Sequence, residues 1–213
     1  MKKCFLTGCD DSCSWMLPWF IRNFKKHNDT PIIFADFGIT DRKTLRIVKK
    51  SFDGYLKLDS PEKGWFKKPS AMLQSPGEYT CWIDTDCEVR GNLDSIFDTV
   101  KISSKLSMVL DHPWTKRTSE EWYNSGVIAY HLKPKILSDW KSAILTSPIV
   151  GDQQVLHILL KDSFGSRVFI EEIDHKYNYL RLDVLDIGES SDALIMHWTG
   201  PKGKEKIMEK IRD

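Results

Sequence analysis

An α/β architecture, with a mixed, mostly parallel central sheet flanked by helices, is predicted by three observations on the sequence. Short apolar runs of strand length alternate with segments of helical period, these runs end in polar or acidic loops, and no internal repeat or long linker interrupts the order. Ligands of such sheets gather beyond the carboxyl ends of the strands, which is where the acidic loops fall. One domain over residues 1–213 is expected.

The elements follow in order. Cys4 to Thr7 is a buried strand that breaks at Gly8 into Asp10, Asp11 and Ser12. Ser14 can cap the next helix, in which Trp15, Met16, Trp19, Phe20 and Phe24 recur at helical spacing and Lys25 and Lys26 suit the final turn. Pro18 fits that helix only if it lies in the first turn. Pro31–Ala35 is a second strand, Thr40–Lys50 a second helix with Leu45, Ile47 and Val48 on its apolar face, and Tyr55–Leu58 a weaker third strand. Lys67–Gln74 reads as helical, and Tyr79–Ile83 as a fourth strand that runs straight into Asp84 and Asp86. Ser107–Leu110 and Val127–Tyr130 are further strands, Pro134–Leu145 and Asp152–Leu160 helices, and Val168–Ile170 and Ala193–Met196 short late strands. From Lys202 a basic helix places Ile207, Met208 and Ile211 on one side, as a packed terminal helix does.

Composition bounds the function. With 41% hydrophobic and 29% charged residues the chain can bury a core, and 31 basic against 30 acidic residues argue against wide capture of a nucleic-acid backbone. No apolar run approaches the roughly 18 to 20 residues that cross a bilayer. Signal peptide and membrane anchor are not expected, the location expected is cytoplasmic, and Asn28-Asp29-Thr30 is then not a glycosylation acceptor. The five cysteines, an odd set without a CxxC pair, read as small buried hydrophobes of a reducing compartment; Cys9 and Cys13 lack the second pair a structural zinc site needs.

Five segments carry candidate chemistry. Asp84 and Asp86, the one Asp-x-Asp of the sequence, point to one face of extended backbone, and two adjacent carboxylates are costly unless a cation joins them. His197, leaving a late strand ahead of Gly200, Lys202 and Lys204, offers an imidazole to a metal and lysines to phosphates. Asn124-Ser125-Gly126 ahead of a strand, and Asp152-Gln153 at a helix start, supply the directional donors and acceptors that sugar hydroxyls require. Lys68 stands with Trp65 and Phe66 upstream of the acidic strand. Each has a plain structural alternative: a solvated loop, a half-buried histidine and basic tail, a turn at Asn124, a helix cap at Asp152, a surface lysine pair.

In this order, the segments resemble metal-dependent glycosyltransferases of the GT-A fold, a Rossmann-like nucleotide-diphospho-sugar transferase fold, and most of all glycosyltransferase family 8, the group of glycogenin and of bacterial lipopolysaccharide galactosyl- and glucosyltransferases. Phe5 to Ser12 is similar to the family's opening strand and nucleoside loop, and Ala35 to Thr40 to its second strand and turn. Lys68, the Asp84/Asp86 pair, Asn124-Ser125-Gly126, Asp152-Gln153 and His197 with Gly200 and Lys202 match its later motifs. One departure stands at the end, where the family's usual Lys-Pro-Trp is replaced by Pro201-Lys202-Gly203-Lys204, so that either lysine can be the phosphate contact, with Lys202 preferred.

The resemblance implies a UDP-sugar donor of the UDP-glucose or UDP-galactose type. Thr7 and Asp10, helped by Ser12, would hold the nucleoside, with Asp10 at the uracil edge. Asp84, Asp86 and His197 would bind Mn2+, with Mg2+ as a substitute. Lys68, Asp84, Asn124 and Ser125 would contact ribose, phosphate or sugar, Gly200 with Lys202 or Lys204 the diphosphate, and Asp152 and Gln153 the sugar at its reacting carbon. It also implies hexosyl transfer with retention; Asp152 is the candidate for a covalent nucleophile, and front-face return without a covalent intermediate is the preferred course. The acceptor is not specified beyond a saccharide or glycoconjugate, for which Trp114 and Trp122 offer indole faces. Two rivals remain: a catalytically silent nucleotide-sugar or glycan binding module, and a sugar-nucleotide pyrophosphorylase. The latter needs a Gly-rich basic loop where Thr7 to Asp11 has one glycine and is acidic.

Overall fold

The computed structural model describes residues 1–146, 151–162 and 165–212. In chain order its elements are β1 (Lys3–Cys9), α1 (Leu17–His27), β2 (Ile32–Asp36), α2 (Arg42–Ser51), β3 (Gly54–Lys57), α3 (Lys68–Gln74), β4 (Tyr79–Ile83), β5 (Cys87–Val89), β6 (Leu106–Leu110), α4 (His112–Thr118), β7 (Tyr123–His131), α5 (Lys135–Thr146), α6 (Asp152–Asp162), β8 (Ile170–Glu172), β9 (Tyr179–Leu180), α7 (Arg181–Ile187), β10 (Ile195–His197) and α8 (Gly200–Arg212).

Seven strands form one sheet in the order β3-β2-β1-β4-β7-β6-β8. Strands β3, β2, β1 and β4 are parallel, β7 runs against both β4 and β6, and β8 is parallel to β6, so β7 is the one reversed strand. Alternation along each strand feeds two apolar layers. Phe5, Phe34, Ile83 and Val127 pack with Phe20 and Phe24 of α1 on one face, whereas Leu6, Ile33, Trp82 and Ile128 pack with Met72 of α3, Trp140 of α5 and Leu156 of α6 on the other. Burial of each such side chain contributes about 1.5–3 kcal/mol. A second, three-stranded sheet, β5-β10-β9, continues from the Asp84/Asp86 loop.

The expected mixed, mostly parallel sheet is present, with corrections at element ends. Ser14 does not cap α1: a 3-10 turn over Ser14–Met16 intervenes, the Ser14 hydroxyl donates to the Asp11 carbonyl, and Pro18 then falls in the first turn. Asp41 caps α2 by accepting the Thr44 amide. The strand expected from Val127 begins at Tyr123, because Leu110 of β6 pairs there, so Asn124-Ser125-Gly126 lies inside a strand rather than ahead of one. The strands expected at Val168–Ile170 and Ala193–Met196 lie later, at β8 and β10.

Candidate active site

Reversal of β7 creates the site. With Ile83 opposite Val127, the carboxyl end of β4 meets the amino end of β7, and the Asp84 amide donates to the Gly126 carbonyl at 2.8 Å. The acidic pair and the Asn-Ser-Gly segment, distant in sequence, thus become neighbours. Beside them, at the end of β1, opens a cleft of about 200 Å³ lined in part by Asp10, Ser12, Lys68, Asp84, Asp86, Asp152 and Lys204.

Lys68, at the start of α3, is 3% exposed and is the electrostatic centre of the cleft. Its ammonium lies 3.0 Å from Asp84 and 2.8 Å from Asp152, and donates to the Ser125 carbonyl and hydroxyl at 3.1 and 3.2 Å. Burial disfavours its charge, but Asp152 and Asp84 outweigh that and hold the ammonium above the ordinary lysine range. Asp84 also accepts from the Trp82 indole N–H at 2.6 Å. Burial, with Asp86 and Asp152 nearby, lifts its carboxyl above the usual range despite Lys68 and His197.

Asp86 faces the other way. Its carboxylate lies 3.2 Å from His197 Nε2, and the Trp198 amide donates to its carbonyl at 3.0 Å. Burial opposes its charge, yet His197 keeps the carboxyl below the ordinary range. For His197 burial likewise opposes charge, and Asp86 overcomes it, so the imidazolium persists above the ordinary value of 6.5. Asp86, His197 and Cys87 place ligand atoms within 4.8 Å of one another, a donor set that a divalent cation fits. Burial and then Asp86 and Asp84 push the Cys87 thiol up, which leaves the carboxylate and the imidazole as the ready ligands. Asp84, turned to Lys68 and Trp82, is not in this group.

Gly126 explains how His197 gets so close. A β-carbon there would lie 2.1 Å from His197 Cε1 and 2.5 Å from Nδ1, so the imidazole occupies the space a side chain would fill. Next to it runs a chain of buried amides. Asn124 donates to Asp111 and to Gln153, each at 3.1 Å, and Gln153 donates to Asp111 at 3.0 Å. The Ser125 hydroxyl donates to Asp152 at 3.1 Å. Asn178 donates to Asn124 at 2.8 Å, and its own carbonyl oxygen lies 3.0 Å from His197 Nδ1.

The sequence-predicted residues therefore divide. Asp10, Ser12, Lys68, Asp84, Asp86, Asp152 and Lys204 line the cleft, while Asn124, Ser125, Gln153 and His197 are joined directly behind it. Ser12 donates to Asp10 through both its amide and its hydroxyl. Thr7 lies inside β1, fully buried, off the cleft, with its hydroxyl unpartnered. Gly200 opens α8 at a φ of +73°, the left-handed region that glycine tolerates. Lys202 is exposed and off the cleft; Lys204, about 200° further round the helix, lines it, with its ammonium 3.7 Å from Cys13 Sγ. Four cysteines are buried as expected, but Cys13 is half-buried and borders the cleft. Trp114 is 45% exposed, whereas Trp122 stacks on His157 at 3.7 Å between ring centroids. Asp111, Asn178 and Cys87 are the participants the sequence reading missed. None lies in a recognisable local motif, although the start of α4 at Asp111, seen as a cap, would have pointed to the first.

No protein-family model matches the sequence, and no curated protein sequence matches it. Solved structures do match in three dimensions. A galactosyltransferase, LgtC, solved with donor and acceptor sugar analogs, superposes with a TM-score of 0.69 at 16% identity over 97% of this chain and 94% of its own. The glycosyltransferase GlyE of Streptococcus pneumoniae also gives 0.69, at 17% identity over 94% of this chain and 55% of its own. The bifunctional WbbM glycosyltransferase gives 0.64, at 11% identity over all of this chain and 50% of its own. The chain has the GT-A fold of these glycosyltransferases.

Proposed function

We propose that the chain is a metal-dependent glycosyltransferase that moves a hexose from a UDP-sugar to a saccharide or glycoconjugate acceptor, with retention at the anomeric carbon. The observation that carries this reading is the junction of β4 and β7, where Asp84, Asp86 and Lys68 line one cleft of a GT-A fold and Ser125 and His197 are joined to them directly behind it. In this reading Asp86 and His197 would hold Mn2+ or Mg2+, with Asp84 of the same loop as the further candidate ligand. The cation supplies charge neutralisation for the departing diphosphate.

The chain's own residues do the rest. Asp10, an acceptor held by Ser12, meets the N–H edge of the base. Lys204 closes on the diphosphate from α8, in place of the Lys202 preferred on sequence grounds. Asp152 and Gln153, at the amino end of α6, face the transferred sugar; Lys68 and the Ser125 hydroxyl orient the Asp152 carboxylate. Front-face return, with Asp152 stabilising positive charge at the anomeric carbon, suits a carboxylate already committed to a buried ammonium better than covalent attack does.

Release of UDP from UDP-glucose and UDP-galactose in the presence of Mn2+ tests this. Turnover that requires Mn2+ and is lost in Asp86→Ala and Asp152→Ala is expected. Donor binding without turnover in the wild-type chain, with any saccharide acceptor, would instead support a silent binding module.

A further inference from the structure

The buried amide chain behind the cleft admits a single assignment of its donors and acceptors, and that assignment reaches His197. Asn124 is oriented by a group that cannot change role: the Gly126 backbone N–H donates to its side-chain oxygen at 2.9 Å. Its nitrogen accordingly faces acceptors, Asp111 Oδ2 and Gln153 Oε1, each at 3.1 Å. Gln153 is held in the same sense, because its oxygen accepts the Ser125 backbone N–H at 3.3 Å and its nitrogen donates to Asp111 at 3.0 Å.

The Asn124 oxygen also accepts from Asn178 at 2.8 Å. That contact commits the Asn178 nitrogen to Asn124 and leaves its oxygen 3.0 Å from His197 Nδ1. Reversing Asn178 would set two oxygens against each other at Asn124, in a site where Asn178 is 0% and Asn124 5% exposed and no water can relieve the clash. Only a protonated Nδ1 satisfies the Asn178 oxygen. The lone pair for a cation is then that of Nε2, the nitrogen beside Asp86. Asp86 competes for a proton on Nε2, but its side chain is 19% exposed and can turn to solvent or to a cation, whereas the Asn178 carboxamide is enclosed.

We propose that Asp111 and Asn178 are positioning residues that act in series through Asn124 to hold the His197 imidazole with its proton on Nδ1 and its Nε2 lone pair toward Asp86. Orienting a metal-ligating histidine through its other ring nitrogen is worth about 10–100-fold in metal affinity. The Asp111 carboxylate does this from the far end while capping α4 through the Trp114 amide at 3.1 Å. The metal-affinity consequence rests on the proposed metal site; the position of the proton does not.

Two measurements separate these. In the metal-free, histidine-15N-labelled chain, taken above the pH at which His197 loses its extra proton, Nδ1 is expected to give the signal of a protonated ring nitrogen and Nε2 that of an unprotonated one. In Asn178→Leu the two forms should mix. A wild-type spectrum with an unprotonated Nδ1 overturns the inference whether or not the chain binds metal. Second, Mn2+ affinity read by electron paramagnetic resonance is expected to fall about 10–100-fold in Asn178→Leu. It should fall no further when Asn178→Leu is added to His197→Ala. Equal losses in the wild-type and His197→Ala backgrounds would overturn the inference, since a merely structural residue acts alike in both.

Discussion

Replacing Lys68 with methionine removes the charge at the centre of the cleft and keeps most of the volume. The ammonium is 3% exposed, while its partners Asp84 and Asp152 are 25% and 13% exposed. Deleting one member of a buried ion pair costs about 3–5 kcal/mol, because the remaining charge stays uncompensated. Partial access of water to the two carboxylates argues for the lower end, about 3 kcal/mol. For a chain of this size that is a fall of about 6–12 °C in unfolding midpoint. The sign of the pH dependence follows. Lys68 has a raised folded pKa, so its contribution is fully present below the unfolded lysine value of 10.5 and does not change through neutral pH on its own account. What changes is its partners. Burial holds the Asp84 carboxyl above the usual carboxylate range, so acidification protonates it and removes both its ion pair with Lys68 in the wild type and its repulsion of Asp152 in the variant. The deficit of Lys68→Met, measured by urea unfolding across pH in metal-free buffer, should therefore be largest at neutral pH and shrink on acidification. An unchanged midpoint at neutral pH, or a deficit that grows as the pH falls, would refute the reasoning.

Three other expectations follow from the same geometry. Gly126→Ala should cost about 1–3 kcal/mol through overpacking and weaken Mn2+ binding by displacing His197, whereas unaltered Mn2+ affinity in a spin-resonance titration would show that the imidazole has room to spare. Glu88 is held below the ordinary glutamate value of 4.5: burial works against its charge, but the Trp198 indole N–H, Arg90 and Lys210 outweigh it. Its contribution is present above 4.5 and lost as the pH falls through the lowered folded value, so Glu88→Gln should flatten the acid limb of stability; an acid limb identical to wild type counts against that pairing. Since Asp86 raises the imidazolium pKa above 6.5, a cation must displace a proton, and Mn2+ affinity should climb as pH rises through and beyond 6.5, a slope that His197→Gln removes.

Legibility of the fold followed length and pattern. Strands β1, β2 and β4 were readable because their apolar runs end abruptly in polar loops, and the sheet class followed from their alternation with α1, α2 and α3. Strands β5, β9 and β10, of three, two and three residues, are too short to show any period; they exist because they pair with one another, Cys87 opposite His197 and Leu180 beside it. The expected start of strand β7 lies four residues late for a related reason. Asn124, Ser125 and Gly126 have turn propensity, and burial beside β4 and β6 overrides it. The candidate site was legible where two acidic or polar residues lie close in sequence, as with Asp84 and Asp86. Asp111 and Asn178 come from separate loops and meet only through Asn124, so no local spacing announces them. Which of Lys202 and Lys204 lines the cleft is a question of helix phase, set where Gly203 is pressed onto the Trp198 backbone and a β-carbon would lie 2.0 Å from the carbonyl oxygen.

The central claim, a cleft that takes a uridine diphosphate sugar together with a divalent cation, is tested most directly by thermal unfolding of the metal-stripped chain against nucleoside diphosphates with and without Mn2+. A ligand that binds only the folded state raises the midpoint by mass action, by about 2.7 kcal/mol of stability at a hundredfold excess over its dissociation constant. The account predicts a rise that requires Mn2+ and UDP together, exceeds that with GDP or CDP, and disappears in Asp86→Ala. A midpoint indifferent to every nucleotide, with Mn2+ present, would contradict it.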